Sequence, residues 1–400
     1  MPHRHASLAL WRDYALLAAA LLLTGQWIVV HGLLRLPFGP VLETLLPGLA
    51  IFGSAVLLSW AAELAQLEIS QALALAFLAL VAVLPEYAVD MFLAWKAAHH
   101  PEYTAFAAAN MTGSNRLLIG MGWPAVLLAF WARTKRREIR VAPSQRLEIA
   151  TLFVATCYAF LIPLKRTLSL WDTLILISLF IVYLRAASRG HMEEPGLAGP
   201  PERIALLPRG WRRIATLLLF LFPAAAIVLS AEPFANGLLQ NARRLGIEEF
   251  ILIQWLAPLA SESPEFIVAI IFALRRNPTA GLGTLVSSKV NQWTLLVGML
   301  PLVYAVSGRF WHPMALDARQ CEEIFLTAAQ SLLALVVLAN MSFGLWEALL
   351  LFALFALQFA FPTPEVRAWL AVGYVVIALG YLATPRFRRS VVELFRFGWR

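Results

Sequence analysis

Charge is scarce in this 400-residue chain: 14% of its residues are charged against 60% hydrophobic, and the mean hydropathy is +0.72. A soluble globular protein carries about a quarter charged residues, so that class is excluded and a polytopic membrane protein is indicated. Cysteine is scarcer still. Cys157 and Cys321 are the only two, both at or inside apolar runs, which excludes a disulfide framework and a cysteine metal cluster and leaves small packing residues. Lysine is nearly absent among the 32 cationic residues, a bias that reflects composition rather than mechanism. No glycine-rich phosphate loop, no His/Cys ligand spacing and no Ser-His-Asp arrangement is present, which removes nucleotide-binding readings. An intramembrane hydrolase working through paired carboxylates lacks a nucleophile. The net charge of +8 invites a nucleic-acid partner, but the basic residues cluster between apolar runs, as they do against anionic lipid. The expected partners are therefore membrane lipid and inorganic cations, with no nucleic acid.

What the chain has is apolar length. Runs of about 17–28 residues predict an all-α protein of about twelve transmembrane helices, near 13–35, 43–65, 70–97, 103–132, 146–163, 169–187, 213–240, 247–275, 279–306, 321–340, 344–361 and 366–384. Residues 14–34 mimic a signal peptide, but the run continues past Arg12 without a small-residue cleavage site, so it reads as a retained helix. Glu193, Glu194, Pro195 and Gly196 mark a flexible linker. The division is a tail and extra helix over 1–42, a repeat over 43–187, a linker over 188–212, a second repeat over 213–361, and an extra helix with a basic tail over 362–400. Five spans in each repeat invert the second relative to the first, the architecture of many secondary transporters. Arg133, Lys135, Arg136, Arg137, Arg140 and Arg146 crowd one connection, and the linker and C-terminal tail are rich in arginine. With these on the inside, both termini are expected to be cytoplasmic in a cell membrane, that of a bacterial inner membrane.

Two apolar stretches keep carboxylates. Pro85, Glu86 and Asp90 lie in the third span, Glu262, Pro264 and Glu265 in the eighth. Spacings of four and three put each pair on one helical face. Pro85 removes an internal hydrogen bond and can free carbonyls toward a polar cavity. Charges in hydrocarbon are costly, so their repetition points to an ion pathway. The following spans supply neutral oxygens: Asn110, Thr112, Ser114 and Asn115 in the fourth, and Thr284, Ser287, Ser288, Asn291 and Gln292 in the ninth. Hard cations such as Ca²⁺ or Na⁺ take such oxygen ligands. Asp90 and Glu262 are either ligands or members of salt bridges. His99 and His100 read as solvated loop residues, and most tryptophans as interfacial anchors near span ends.

With Leu84-Pro85-Glu86 and Gly113-Ser114-Asn115 in the first half, and Pro264-Glu265 and Ser287-Ser288-Lys289 in the second, the chain resembles a divergent member of the calcium/cation antiporter superfamily, the sodium/calcium exchanger group. Residues 53–63 and 231–237 resemble the helices entering each signature. The resemblance covers about residues 43–361. It implies that Glu86 and Glu265 are the central acidic ligands of the transported cation, with Ser114 and Ser288 as hydroxyl ligands. Gln292 stands where the family often has Asn or Asp, and the carbonyls of Ala82 and Ser261 are further ligands. It implies no cofactor beyond the cargo itself (Ca²⁺, Na⁺ or H⁺) and no enzymatic reaction.

The sequence also departs from the pattern. Ala82 and Val83 replace the signature Thr-Ser, Glu262 replaces a serine, and Leu118 replaces a terminal Asn. Lys289 stands in place of the motif's Asn, and Arg116 follows Asn115. Fewer neutral oxygens weaken the case for several Na⁺ sites and favour proton exchange. Lys289 is a candidate internal counter-ion; alternatively, Lys289 and Arg116 turn away from the cavity to reach an interface. Two functions follow. One is a secondary-active cation antiporter, exchanging Ca²⁺ or another cation for Na⁺ or H⁺ by alternating access at a midplane carboxylate site. The other is a non-transporting or altered-specificity membrane scaffold or sensor that keeps the exchanger fold.

Overall fold

The computed structural model describes residues 2–34, 38–65, 67, 84–188, 197, 199–309, 311–361 and 363–398. Among these, nine helices are long and apolar enough to cross a membrane, and the bent pair Glu249–Ser263 and Glu265–Leu274 makes a tenth. Two shorter helices, Leu84–Ala97 and Leu345–Ala360, stand at the two remaining predicted spans. Among the described residues, every predicted span thus falls on helix, the only open form in which a backbone in lipid satisfies its own polar groups. The N-terminal part of the span predicted over 70–97 lies outside the described residues. So do Ala82, Val83 and the linker residues Glu193, Glu194, Pro195 and Gly196.

We number the main helices α1 (Pro2–Trp27), α2 (Pro40–Ala65), α3 (Leu84–Ala97), α4 (Glu102–Leu117), α5 (Trp123–Thr134), α6 (Arg146–Ala159), α7 (Leu170–Ala187) and α8 (Arg209–Leu245). They continue as α9 (Glu249–Leu274), α10 (Pro278–Asn291), α11 (Val297–Tyr304), α12 (Ala318–Leu338), α13 (Leu345–Ala360), α14 (Pro364–Ala383) and α15 (Pro385–Gly398). Local chemistry sets their ends. Prolines open α5, α10 and α14, where a missing N–H costs nothing. Asp317 and Gln320 form a capping box at α12, and Gly246 closes α8 in the left-handed region. Trp171, Trp211, Trp346 and Trp369 are exposed near helix starts, as interfacial anchors are. Cys157 is exposed on α6 rather than packed, so the packing role expected of it is corrected: its thiol faces outward from the bundle.

The chain divides into two compact units. The first comprises Met1–Phe92 and Ser188–Leu252. Here α2 packs against α8, whose 37 residues span about 55 Å. The start of α2 meets the end of α8, so the two run antiparallel. Asn241 donates to the Pro40 carbonyl at 2.7 Å and to Thr44 Oγ1 at 2.8 Å. Gly237 permits this approach, since a Cβ there would come within 2.4 Å of Thr44 Oγ1. Leu57, Leu58, Ala61 and Leu64 of α2 bury against Leu219, Phe220 and Ile227 of α8. Buried Asp13 is held by Arg203 at 3.0 Å.

The second unit comprises Leu93–Ala187 and Ile253–Arg400. Four short strands lie in its connections: β1 (Glu138–Arg140), β2 (Thr167–Leu168), β3 (Met314–Ala315) and β4 (Ser342–Gly344). β1 pairs antiparallel with β4, and β2 with β3. β1 and β4 follow the fourth and tenth spans, β2 and β3 the fifth and ninth. Chain alternation across a bilayer places each pair on one face and the two pairs on opposite faces. The strand pairing therefore agrees with the inverted order of the repeats.

Close approach in this unit depends on Gly113, where a Cβ would sit 1.8 Å from the Gln254 carbonyl oxygen of α9. Backbone cannot yield as a side-chain tip does. Gly113→Ala is expected to destabilise the purified protein by about 1–3 kcal/mol or more, read as a lower melting temperature in detergent. Gly380→Ala, with nothing within 4 Å, is expected to be neutral or slightly stabilising.

Candidate cation site

In the first unit, Glu86 and Asp90 are 1% and 0% exposed on one face of α3, with Tyr87 buried beside them. Both carboxylates are therefore withdrawn from solvent in an apolar helix, as their spacing predicts. The break expected at Pro85 and the Ala82 carbonyl depend on residues outside the described set.

In the second unit, α9 bends by 55° between Ser263 and Glu265. Pro264 lies at the bend and cannot donate to the helix ladder, which is the usual cause of such a kink. Ser261 donates to the Ala257 and Pro258 carbonyls at 3.3 Å, and Ser263 to the Leu259 carbonyl. Glu265, half-buried, opens the segment beyond the bend. Glu262 is 3% exposed, and its Oε1 accepts a hydrogen bond from Gln292 Nε2 at 2.7 Å. The structure thus brings two of the expected ligands together by tying one to the other.

The neutral oxygens lie on α4 and α10, two helices with a shared device. α4 passes into a π-turn at Leu118–Gly122, and α10 into one at Gln292–Leu296. Such turns recur at functional sites because they re-aim side chains within an unbroken helix. Leu118 and Gln292 each begin one, so Asn115 and Lys289 occupy equivalent places, as do Ser114 and Ser288. Asn115 and Lys289 also touch. Lys289 Nζ donates to Asn115 Oδ1 at 2.7 Å and to its carbonyl at 3.4 Å, and sits 4.6 Å from the Trp293 ring centre. Ser114 donates to the Asn110 carbonyl at 3.0 Å. Ser288 is 5% exposed, with its hydroxyl making no hydrogen bond among the described residues.

Neither Lys289 nor Arg116 reaches an interface, which corrects that reading: their exposures are 0% and 2%. The reason for Arg116 lies in a residue the sequence did not single out. Arg116 pairs with Glu323 of α12 at 2.6 Å, and both are 2% exposed. Gln254 donates to Glu323 Oε2 at 3.1 Å and to Thr112 Oγ1 at 3.3 Å. Arg367 Nε lies 3.6 Å from Glu323 Oε1, and Gln358 and Gln330 complete the shell around Arg116. A cation in mid-span is itself the signal that a carboxylate must be sought in another span. Glu148, also not singled out, is a further half-buried carboxylate within a membrane-crossing helix, α6. Among the described residues, no group of three or more His, Cys, Asp and Glu side chains could hold a metal ion. His99 and His100 are exposed, as expected of loop residues.

The profile of the sodium/calcium exchanger protein family matches residues 41–188 and 215–363. Among solved structures, the chain is similar to the H⁺/Ca²⁺ exchanger CAX, with 43% identity and a TM-score of 0.93 over 96% of this chain and 97% of that one. It also shares the fold of the sodium-calcium exchanger NCX_Mj, at 19% identity and a TM-score of 0.54 over 80% and 98%. The Ca²⁺/H⁺ antiporter protein YfkE matches at 14% identity and a TM-score of 0.62 over 91% and 99%. No curated protein matches by sequence. These matches establish an all-α exchanger fold of two inverted five-helix repeats with an extra helix at each end.

Removing one member of a buried ion pair leaves an uncompensated charge. Glu323→Leu is expected to cost about 3–5 kcal/mol. The double variant Arg116→Met/Glu323→Leu should recover at least half of the lost melting temperature. Equal loss in the single and double variants would count against the pair as the cause.

Proposed function

The chain belongs to the sodium/calcium exchanger protein family, and we propose that it is a secondary-active antiporter moving Ca²⁺ in exchange for protons by alternating access. Glu86 of the first repeat and Glu265 of the second carry the cargo near the bilayer midplane. Two carboxylates in a low-dielectric layer repel one another and are costly to move uncompensated. Either one Ca²⁺ or protons must neutralise them before the carrier reorients, and competition for the same oxygens makes the exchange obligatory. Asp90, Glu262, Ser114, Ser288, Ser261, Asn110 and Gln292 are the further candidate ligands that the resemblance and the sequence supply. No covalent chemistry is required of any residue.

The observation that carries protons rather than Na⁺ is the Lys289–Asn115 contact of 2.7 Å. A buried ammonium already occupies the amide oxygen that a Na⁺ ion would use. Gln292 is turned to donate to Glu262, and the Ser114 hydroxyl donates to the Asn110 carbonyl. Na⁺ binding needs a full shell of such neutral oxygens, whereas a carboxylate exchanges a proton unaided. The 43% identity with a protein described as an H⁺/Ca²⁺ exchanger supports the same choice. The arginine-rich face and both termini are assigned to the cytoplasm of a bacterial inner membrane by the bias of cationic loops.

Proteoliposomes loaded with ⁴⁵Ca²⁺ distinguish the couplings. Imposed pH gradients should drive Ca²⁺ movement, and Na⁺ or K⁺ gradients should not. Equal drive by Na⁺ would overturn the coupling. Glu86→Gln and Glu265→Gln should each reduce exchange in inside-out vesicles to background, and unchanged uptake in both would sink the assignment of the site. Lys289→Asn frees Asn115 and is expected to introduce a Na⁺ dependence absent from the parent protein.

A further inference from the structure

The second unit carries a groove that ion exchange does not use. Its volume is about 910 Å³, and its walls are the end of α5, the strand β1 and the entry to α10. Arg133, Arg136, Arg137, Arg140 and Arg276 line it, with Glu138 as the single acidic lining residue. All five arginines are exposed, and none pairs with a carboxylate among the described residues. Elsewhere in the molecule, cationic side chains near carboxylates are paired: Arg203 with Asp13, Lys165 with Asp172, and Arg367 with Glu322. Five guanidiniums without a carboxylate partner among the described residues thus line one concavity.

We propose that this groove binds the phosphate of an anionic phospholipid from the leaflet on that face. Depth is the first argument. Thr134 ends one membrane-crossing helix and Pro278 begins another, so the groove opens where hydrocarbon gives way to headgroups. Recognition chemistry is the second: a guanidinium's planar fork matches phosphate oxygens in pairs, and the positive end of α10's dipole points the same way. Rigidity is the third. Thr279 Oγ1 donates to the Arg140 carbonyl at 2.9 Å, and the β1–β4 ladder fixes the floor, with Ile139 1% exposed beneath it. The backbone that carries Arg140 is thus fixed before a ligand arrives, which lowers the ordering cost of binding. Lys135 takes no part, since its ammonium lies over the Trp131 ring at 5.3 Å.

The whole chain, purified in detergent, tests this by titration with phosphatidylglycerol or phosphatidylcholine, read by native mass spectrometry and melting temperature. The expected result is retention of phosphatidylglycerol and a rise in melting temperature that phosphatidylcholine does not give. Arg136→Gln/Arg137→Gln/Arg276→Gln should weaken this binding by about tenfold or more, since each lost phosphate contact removes a charge-assisted hydrogen bond. The control Arg209→Gln/Arg213→Gln/Arg389→Gln, equal in charge, should bind like the parent. Should the triple variant not fold, Arg276→Gln alone gives the same reading with a smaller effect. Three results would overturn the proposal: no preference for the anionic lipid, equal weakening in the control, or displacement of the lipid by millimolar inorganic phosphate, which would mark a site for soluble anions.

Discussion

The second unit is organised around a charge that cannot be left alone. Arg116 lies in an apolar helix at 2% exposure, where an unpaired guanidinium would cost several kcal/mol. Its partner Glu323 comes from α12, as does Gln330, and Gln254, Gln358 and Arg367 arrive from α9, α13 and α14. Satisfying this one ion pair fixes the register of α4 against α9, α12, α13 and α14 at a single level. The neighbouring residue in sequence, Asn115, then faces a different direction, because successive side chains on a helix are about 100° apart. There it meets Lys289. The ion pair is therefore structural, and the polar layer beside it inherits its precision. Gly113 completes the arrangement by letting the Gln254 backbone come close enough for its side chain to reach Glu323.

The two repeats use the same device for different ends. Each sends a helix of neutral polar residues into a π-turn, at Leu118–Gly122 and Gln292–Leu296. At equivalent places one repeat offers Asn115 and the other Lys289, and one offers Leu118 and the other Gln292. A duplicated site would present matching oxygens from both sides. Here one side supplies a cation to the oxygen of the other, and the remaining amide serves Glu262. The two halves thus meet here as a buried ammonium against an amide oxygen rather than as like against like.

Hydropathy and spacing made the spans legible, because the bilayer imposes a length that any crossing helix must meet. The missing donor was read at Pro85; the bend the structure describes is at Pro264, its counterpart in the other half, and has the same chemical cause. The shared face of Glu86 and Asp90 followed from the helical period, whereas the bend between Ser263 and Glu265 separates Glu262 from Glu265. Glu323 was not legible. It follows Glu322 near the end of a span, where a pair of acids ordinarily marks the water boundary, and its partner stands in a distant helix. The direction of Lys289 was equally hidden: both alternatives satisfy the sequence, and only the approach of α4 to α10 decides between them. Asymmetry between the repeats could be counted from the motifs, but what it does could not.

The short strands have a consequence for how the protein is made. β1 finds its partner in residues 342–344, and β2 finds its partner in residues 314–315. Helices of the first repeat leave the ribosome long before either partner exists. They must wait in the bilayer as separate inserted segments, with Arg116 unmatched until α12 follows. Membrane insertion and closure of the second unit are therefore distinct events in time, and the interval between them is when a quality-control protease or an insertase would meet the open first repeat.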